Sequence, residues 1–155
     1  MNRLFPLLLL AVPGAALAQA ANPVTLDSRA FVARTVTDAS GKTNNKLFPP
    51  EQVLPGEALV FMLDYKNGGA RPAAGFEINN PIPAAVSFTG AEQPWAVVSV
   101  DGGKSFASLA ALKVKAADGT LRSAVPADVT HVKWKFAQPI APGAGGRVMF
   151  YATVK

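Results

Sequence analysis

The side chains on which most enzyme chemistry depends are scarce in this sequence. It contains one histidine, His131, and no cysteine among its 155 residues. These counts exclude disulfides, thiolate metal sites and cysteine nucleophiles, and they exclude any site that needs two imidazoles. No Gly-x-Ser-x-Gly turn is present that would place a catalytic serine beside the histidine. The composition therefore predicts a chain without a catalytic centre, a cofactor or a metal.

His131 is the first candidate for a binding role. It lies in an alternating segment, on the face that it shares with Lys133 and Lys135. A metal at this position would need partners from carboxylates or from Met62 and Met149, and no recognised ligand spacing accompanies it. We therefore expect a solvated strand histidine, with copper binding as the alternative.

Asp101 is the second candidate. Residues 99–106 read Ser-Val-Asp-Gly-Gly-Lys-Ser-Phe, which resembles the Asp-box, a β-hairpin motif repeated in sialidases and other secreted β-proteins. An aspartate in such a turn accepts backbone N–H bonds, and the glycines supply positive φ angles. We expect Asp101 to build a turn, and calcium or sugar binding is the alternative.

Trp95 and a pair of acids complete the set of candidates. Trp95 follows a proline in a predicted loop, where its ring could stack on a sugar or on a partner, whereas Trp134 alternates with apolar residues and is expected in the core. Asp64 and Glu77 fall on neighbouring predicted strands and could meet as the two carboxyl groups of a glycosidase. Acids on strand surfaces are far commoner. We therefore assign no catalytic residue, and Trp95, Asp101 and His131 are the candidate surface or ligand residues.

The elements that must position these residues are short strands separated by glycine and proline turns. Residue patterns with a period of two occur at residues 59–65, 130–136 and 147–154. Some of these segments alternate apolar with polar residues, and others carry apolar residues on both faces. Helical periodicity is nearly absent. This pattern predicts an all-β, immunoglobulin-like antiparallel β-sandwich of about seven to nine strands. Only residues 105–117 leave the choice between strand, turn and short helix open.

The first 18 residues are typical of a secretory signal peptide. A basic start precedes an apolar run at residues 4–12, and Ala16-Leu17-Ala18 supplies a small-x-small cleavage site. The apolar run is far shorter than the roughly 20 residues that span a bilayer, so no membrane span is expected after cleavage. Cleavage is predicted after Ala18, with Ala20 as a second possibility. The mature chain is then exported to the periplasm, the cell surface or the medium.

The region between the signal peptide and the predicted sandwich differs in composition from the rest. We assign residues 19–46 to an N-terminal edge strand, centred on residues 31–37, and a mobile polar loop over residues 38–46. The sandwich then covers residues 47–155. An edge strand followed by a polar linker also suits a subunit that donates this strand to a neighbour's sheet.

Charge and glycine patterns exclude two classes of ligand. The formal net charge is +5, but the charges are scattered rather than clustered with aromatic residues, so nucleic-acid binding is not predicted. The Gly-rich run at residues 144–146 precedes a predicted strand rather than a helix, and a phosphate-binding loop is not predicted either.

The order of motifs along residues 50–154 resembles the bacterial conserved-repeat family of exported surface domains, a "domain of unknown function". The resemblance rests on Pro55-Gly56-Glu57 before a long strand, Asn67-Gly68-Gly69 after it, and Pro142-Gly143 before a valine-rich last strand. It implies an immunoglobulin-like sandwich with a structural or adhesive role, and it implies no catalytic residue. This chain departs from the family in holding one copy rather than a tandem array. It also has Asn79-Asn80-Pro81 where an acid often precedes the proline.

Three functional hypotheses follow. The first is an exported, non-catalytic structural or interaction module of the cell envelope that binds a protein or an envelope polymer through a strand edge or loops. Such a module would be a monomer or would associate weakly with itself. The second is a self-assembling surface or filament subunit that exchanges its N-terminal strand. The third is a small secreted carbohydrate-active protein.

Overall fold

The computed structural model describes residues 23–155, which form an all-β fold of ten strands and two short 3₁₀ turns. The 3₁₀ turns are Leu109–Ala111 and Pro126–Asp128. The strands are β1 (Val24–Thr37), β2 (Thr43–Phe48), β3 (Ala58–Asn67), β4 (Glu77–Pro81), β5 (Val86–Ala91), β6 (Val97–Ser99), β7 (Lys113–Lys115), β8 (Leu121–Ser123), β9 (His131–Lys135) and β10 (Gly145–Val154). The all-β prediction is confirmed. The predicted signal peptide lies outside the described residues.

Two antiparallel sheets pack on a shared core, as expected for a β-sandwich. The large sheet has the order β2-β1-β3-β10-β5, the small sheet has the order β4-β9-β6, and β7 and β8 form a separate hairpin. Both sheets contribute to one buried cluster, whose members are Leu63, Ile78, Phe88, Val98, Val129, Val132, Trp134, Val148 and Phe150. Within residues 23–155 no helix is long and apolar enough to cross a membrane.

The central strand of the large sheet is apolar on both faces. The side chains of Phe61 and Leu63 enter the core, so the alternating side chains of Val60 and Met62 lie on the opposite face. β3 pairs with β1 on one side and with β10 on the other. We call the solvent side of this sheet the outer face.

Stacked aromatic rings occupy the middle of the core. Phe61 and Phe150 are opposite each other in the register of β3 and β10, and their rings are 4.5 Å apart and nearly parallel. The rings of Trp134 and Phe88 each lie 6.4 Å from Phe150. Phe150 therefore joins the large sheet to the small one. Trp134 is fully buried, in agreement with its predicted core position.

Asn67 explains why the long strand ends where it does. Its side chain is fully buried, and its amide nitrogen donates to the carbonyl oxygens of Arg71 and Ile140, each at 2.8 Å. Its amide oxygen accepts from Gly69 N at 2.9 Å. A buried amide with all these partners is satisfied and stabilising. Asn67 thus ties the loop after β3 to the segment that leads into β10.

The N-terminal region is part of the large sheet. β1 lies between β2 and β3, not at the edge as the sequence suggests. Residues 43–46, which the sequence assigns to the loop, belong to the edge strand β2. Residues 24–33 pair with β3, whereas residues 32–37 pair with β2 and extend beyond the start of β3. The polar residues of this extension need no apolar face, because a two-stranded ribbon is held by main-chain hydrogen bonds. Alternation predicted a strand over residues 31–37, but it missed residues 43–46, which are polar and pair with that strand. The turn at its tip is closed by Asp38, which accepts from Ser40 N and Lys42 N.

Truncating Phe150 should destabilise the fold strongly. Phe150→Ala removes a fully buried ring that contacts both sheets, and the expected loss is about 3–5 kcal/mol in the free energy of unfolding. Urea denaturation followed by tryptophan fluorescence measures it. Leu121→Ala is the control, because Leu121 is 73% exposed and should change stability by less than about 0.5 kcal/mol. A loss below about 1 kcal/mol for Phe150→Ala would contradict this account of the core.

Candidate functional site

Trp95 is presented by a tight turn between β5 and β6. The backbone N–H of Ala96 donates to the carbonyl of Gln93 at 3.0 Å, which makes Pro94 and Trp95 the two central residues of a four-residue turn. Proline presets the backbone for the second position of such a turn. The turn carries the indole ring outward, and Trp95 is 44% exposed.

The turn is anchored on the last strand by Gln93 and Glu92. Met149 N donates to the side-chain oxygen of Gln93 at 3.1 Å, and Glu92 N donates to the carbonyl of Met149 at 3.0 Å. The hydroxyl of Tyr151 donates to the carboxylate of Glu92. These bonds continue the β5–β10 pairing into the loop, so the loop that carries Trp95 is held in place.

An aromatic cluster supports the inner edge of the indole. The ring of Phe136 lies 5.2 Å from Trp95 and 4.7 Å from Tyr65, both in edge-on geometry, and 5.4 Å from Phe76. Tyr65 can lie this way because Gly146 has no side chain: a Cβ there would be 2.6 Å from the tyrosine hydroxyl oxygen. The glycine-rich run at residues 144–146 therefore serves close packing.

A hollow of about 280 Å³ opens beside the indole. It is lined by Trp95, Lys135, Phe136, Ala137 and Gln138. Its lining is mostly apolar, with the side chains of Trp95 and Phe136 in it, and Lys135 and Gln138 are its polar residues. The Nζ atoms of Lys135 and of its neighbour Lys133 each lie 3.5 Å from the carboxylate of Glu77 on β4. We call this the Trp95 hollow.

Asp101 builds a turn, as the sequence predicts. Its carboxylate accepts from the hydroxyls of Ser99 and Ser105, each at 2.6 Å, and from the backbone N–H groups of Lys104 and Ser105 at 3.0 Å. Gly102 and Gly103 have φ angles of 78° and 84°, in the region that favours glycine. Because the bonds from Ser105 and Ser99 favour the charged form, the pKa of Asp101 lies far below its ordinary value.

His131 packs against this turn. A Cβ at Gly103 would lie 3.3 Å from the imidazole ring, so the glycine leaves room for the histidine. The Nδ1 atom of His131 is 3.2 Å from the Thr130 hydroxyl, which in turn accepts from Gly102 N at 3.1 Å. The structure thus places His131 of β9 against the turn that Asp101 builds. Both oxygens of the Asp101 carboxylate accept hydrogen bonds from residues of that turn.

Trp95 belongs to the other end of the small sheet. His131 and Lys135 are the two ends of β9, about 13 Å apart at the usual rise per residue, and Trp95 lies at the Lys135 end. Between them the ammonium of Lys133 sits 3.9 Å from the ring centroid of Phe106. The three candidate residues therefore do not form one site.

The two acids considered as a glycosidase pair are separated. Asp64 lies on β3 of the large sheet, and Glu77 lies on β4 of the small sheet, so they are not on neighbouring strands. Asp64 accepts from Arg147 Nε at 2.6 Å and from Arg29. These guanidinium groups lower the pKa of Asp64 and keep it ionised. Within residues 23–155 no group of three His, Cys, Asp or Glu side chains is placed to hold a metal ion.

The sequence pattern predicted the positions of only some of the residues that line the Trp95 hollow. The alternation of β9 places Lys133 and Lys135 on the face of His131, but nothing in that pattern brings Trp95 to them. Gln138 follows the strand without a periodic signal. No family model, no curated protein and no solved structure matches this chain.

Replacing Asp101 by asparagine should weaken the fold in a pH-dependent manner. The carboxylate has a depressed pKa in the folded state, so its stabilising effect is present above pH of about 4 and is lost as the pH falls towards the folded-state pKa. Urea denaturation of the wild type and of Asp101→Asn at several pH values measures this. We expect the gap in stability to be largest near pH 7 and to shrink below pH of about 4.

Ser105→Ala is the graded control for this experiment. It removes one hydroxyl donor to Asp101 and leaves the backbone donors in place, so its effect should be smaller and should have the same pH dependence. Asp128, whose pKa Arg122 lowers to about 2, adds an acid-sensitive contribution that is common to all variants. An Asp101→Asn protein with wild-type stability at neutral pH would rule out the turn-building role.

Proposed function

We propose that this chain is an exported, non-catalytic interaction module that binds a glycan of the cell envelope in the Trp95 hollow. The observation that carries the proposal is an outward-facing indole, 44% exposed, on a hydrogen-bonded turn beside a mostly apolar hollow that Lys135 and Gln138 also line. Tryptophan is enriched at binding surfaces, because its ring offers a large apolar face together with a polar N–H group.

The chemistry of the hollow suits a sugar ring. One face of a pyranose presents C–H groups, which pack on an aromatic ring, while its hydroxyls need hydrogen-bond partners around the rim. Lys135 and Gln138 supply donors, and Gln138 also supplies an acceptor. The volume of about 280 Å³ lies just below the range of drug-sized pockets and corresponds to about one sugar ring.

Rigidity also favours binding. The indole is braced by Phe136, which is packed between Tyr65 and Phe76, and its loop is hydrogen-bonded to β10 through Gln93. A ligand that meets a preorganised surface does not have to order it, so less of the interaction energy is lost.

The positions of the acidic residues favour binding of a glycan without its hydrolysis. Glycoside hydrolysis needs a protonated carboxylic acid facing a second carboxylate across the scissile bond. Asp64 is held ionised by two arginines on the large sheet, and Glu77 lies between two lysines on the small sheet. Neither arrangement supplies a general acid beside Trp95. We therefore narrow the carbohydrate-active alternative to a protein that binds a glycan and does not cleave it.

Export and family membership are parts of the same proposal. Residues 1–18 have the layout of a signal peptide, and residues 50–154 resemble the conserved-repeat surface domains, with the immunoglobulin-like topology which that resemblance implies. The strand-exchange alternative would require β1 to break its pairing with β3. We therefore favour an interaction module over a strand-exchanging subunit.

Glycan binding should depend on Trp95. We expect oligosaccharides that bind the hollow to change the fluorescence of the exposed indole, and Trp95→Ala to weaken binding by at least about 30-fold, the cost of losing a hot-spot aromatic. Isothermal titration with tetrasaccharides of glucose, of N-acetylglucosamine and of a uronic acid measures the affinity. Lys135→Ala should weaken binding of the uronate most, because it removes the positive charge among the residues that line the hollow.

Two controls separate this site from others. Leu121→Ala removes a more exposed apolar side chain from the β7–β8 hairpin, and His131→Ala alters the opposite end of β9. Both should bind as the wild type does. Failure of every glycan in the set to bind, or full binding by Trp95→Ala, would overturn the proposal.

Export should remove the first 18 residues. Expressed at its full length in a Gram-negative host, the protein should appear in the periplasmic fraction with Gln19 at its N-terminus, as measured by intact mass. A start at Ala21 would identify the second cleavage site. Retention of Met1 in the cytoplasmic fraction would contradict export.

A further inference from the structure

The outer face of the large sheet is an apolar surface that the glycan site does not use. A groove of about 400 Å³ crosses it, with small residues such as Ala33, Ala58 and Thr153 in its lining and larger ones, Leu47, Met62, Met149 and Tyr151, around them. Antiparallel sheets normally carry polar residues on the side that faces water. Here the first half of β3 is apolar on both sides, because Ala58, Val60 and Met62 lie on the outer side, and Asp64 and Lys66 follow them there. An apolar residue on each side is the pattern of a strand that is covered on both sides.

The side chains on this face form rows that cross the strands. The register places Phe31, Val60 and Tyr151 in one row, and Arg29, Met62 and Met149 in the next. The row beyond contains Asp27, Asp64 and Arg147. In each row the β3 residue is in the middle, because β3 is the central strand of five.

The ends of these rows are complementary to each other. Rotation by 180° about an axis that runs along β3, in the plane of the face, brings β1 of one copy over β10 of another. Phe31 of one copy then faces Tyr151 of the other. Asp27 likewise faces Arg147. Aromatic pairs and opposite charges both stabilise such contacts. Asp27 is 70% exposed and already pairs with Arg29 of its own chain at 3.2 Å, so the contact with Arg147 extends an existing ion pair. Asp64 lies on the axis and faces its own copy, and Arg29 and Arg147 neutralise it within each chain.

Net charge favours the same arrangement. Two acids and two arginines on this face, Asp27, Asp64, Arg29 and Arg147, balance each other, and Lys66 adds one positive charge, whereas the whole chain has a net charge of +5. Copies of a basic protein repel each other on most of their surface. That repulsion is weaker on a face whose charges nearly cancel.

The area suits a weak dimer. Five strands at the usual spacing and a ten-residue central strand give a face of about 19 by 33 Å, or about 600 Å². Stable interfaces bury about 600–1,000 Å² on each partner, so this face reaches the lower end of that range.

We infer that the outer face is covered by the outer face of a second copy of this chain, related by a two-fold axis along β3. The inference does not rest on the glycan site. Trp95 lies outside this face, so the pair presents two hollows. Two linked sites on one polymer raise the apparent affinity by about 10²- to 10⁴-fold without any new contact.

Sedimentation equilibrium of the exported chain, from micromolar to submillimolar concentration, tests the inference. We expect a reversible dimer and at least a tenfold weaker association for Met149→Arg, which places a charge on the apolar row. Leu121→Arg adds the same charge to an exposed site on the β7–β8 hairpin and should leave the dimer intact. Thermal denaturation by circular dichroism verifies that each variant folds.

Cross-linking tests the position of the axis. Because the chain contains no cysteine, each introduced cysteine supplies the only thiol that can be cross-linked. A cysteine at Ala58, on the axis, should be joined to its own copy by a short bismaleimide. Cysteines at Ala33 and Thr153 should be joined in a mixture of the two variants more than in either alone. A cysteine at Leu121 should not be joined to its copy in the second chain. A wild type that stays monomeric throughout, or association that Leu121→Arg weakens as much as Met149→Arg, would overturn the inference, whatever the outcome of the glycan titrations.

Discussion

The pairing of β3 with β10 at the centre of the large sheet is the constraint on which the rest of this structure depends. Nine register pairs join the two strands, from Gly145 opposite Lys66 to Thr153 opposite Ala58. Alternate residues point to opposite sides of a sheet, so one pairing supplies both the core side chains and the outer face. Displacing the register by one residue would exchange these two sets and expose the Phe61–Phe150 stack.

The ends of this strand pair are as important as its middle. Asn67 closes one end through buried hydrogen bonds, and the glycines that begin β10 allow Tyr65 to lie flat over them. Tyr65 in turn packs on Phe136, which supports the indole of Trp95. The position of the proposed glycan site is therefore a consequence of packing inside the sandwich. The proposed dimer face and the glycan hollow belong to different sheets, which allows one small domain to use both.

Prediction from the sequence succeeded where a local pattern carries the whole signal. The turn at Asp101 is local: its donors, Ser99, Lys104 and Ser105, lie within four residues of the carboxylate, so spacing alone identifies it. The core position of Trp134 follows from simple alternation. Prediction failed for β1, because edge and interior strands look alike when a strand is half buried and its neighbour β2 is polar. It also failed to place Asp64 and Glu77 in different sheets, since consecutive strands of a sandwich can belong to different sheets.

The amino-acid sequence by itself determined the all-β class, the turns and the absence of cysteine and paired histidine chemistry, because these depend on residue type and on contacts between near neighbours. Only the tertiary structure decided that Trp95 meets Lys135, Phe136 and Gln138, which are about 40 residues away along the chain. It also decided that Phe31, Val60 and Tyr151 share one row of the outer face. Both arrangements arise from strand order and register, which the packing of two sheets selects and which no short stretch of sequence contains.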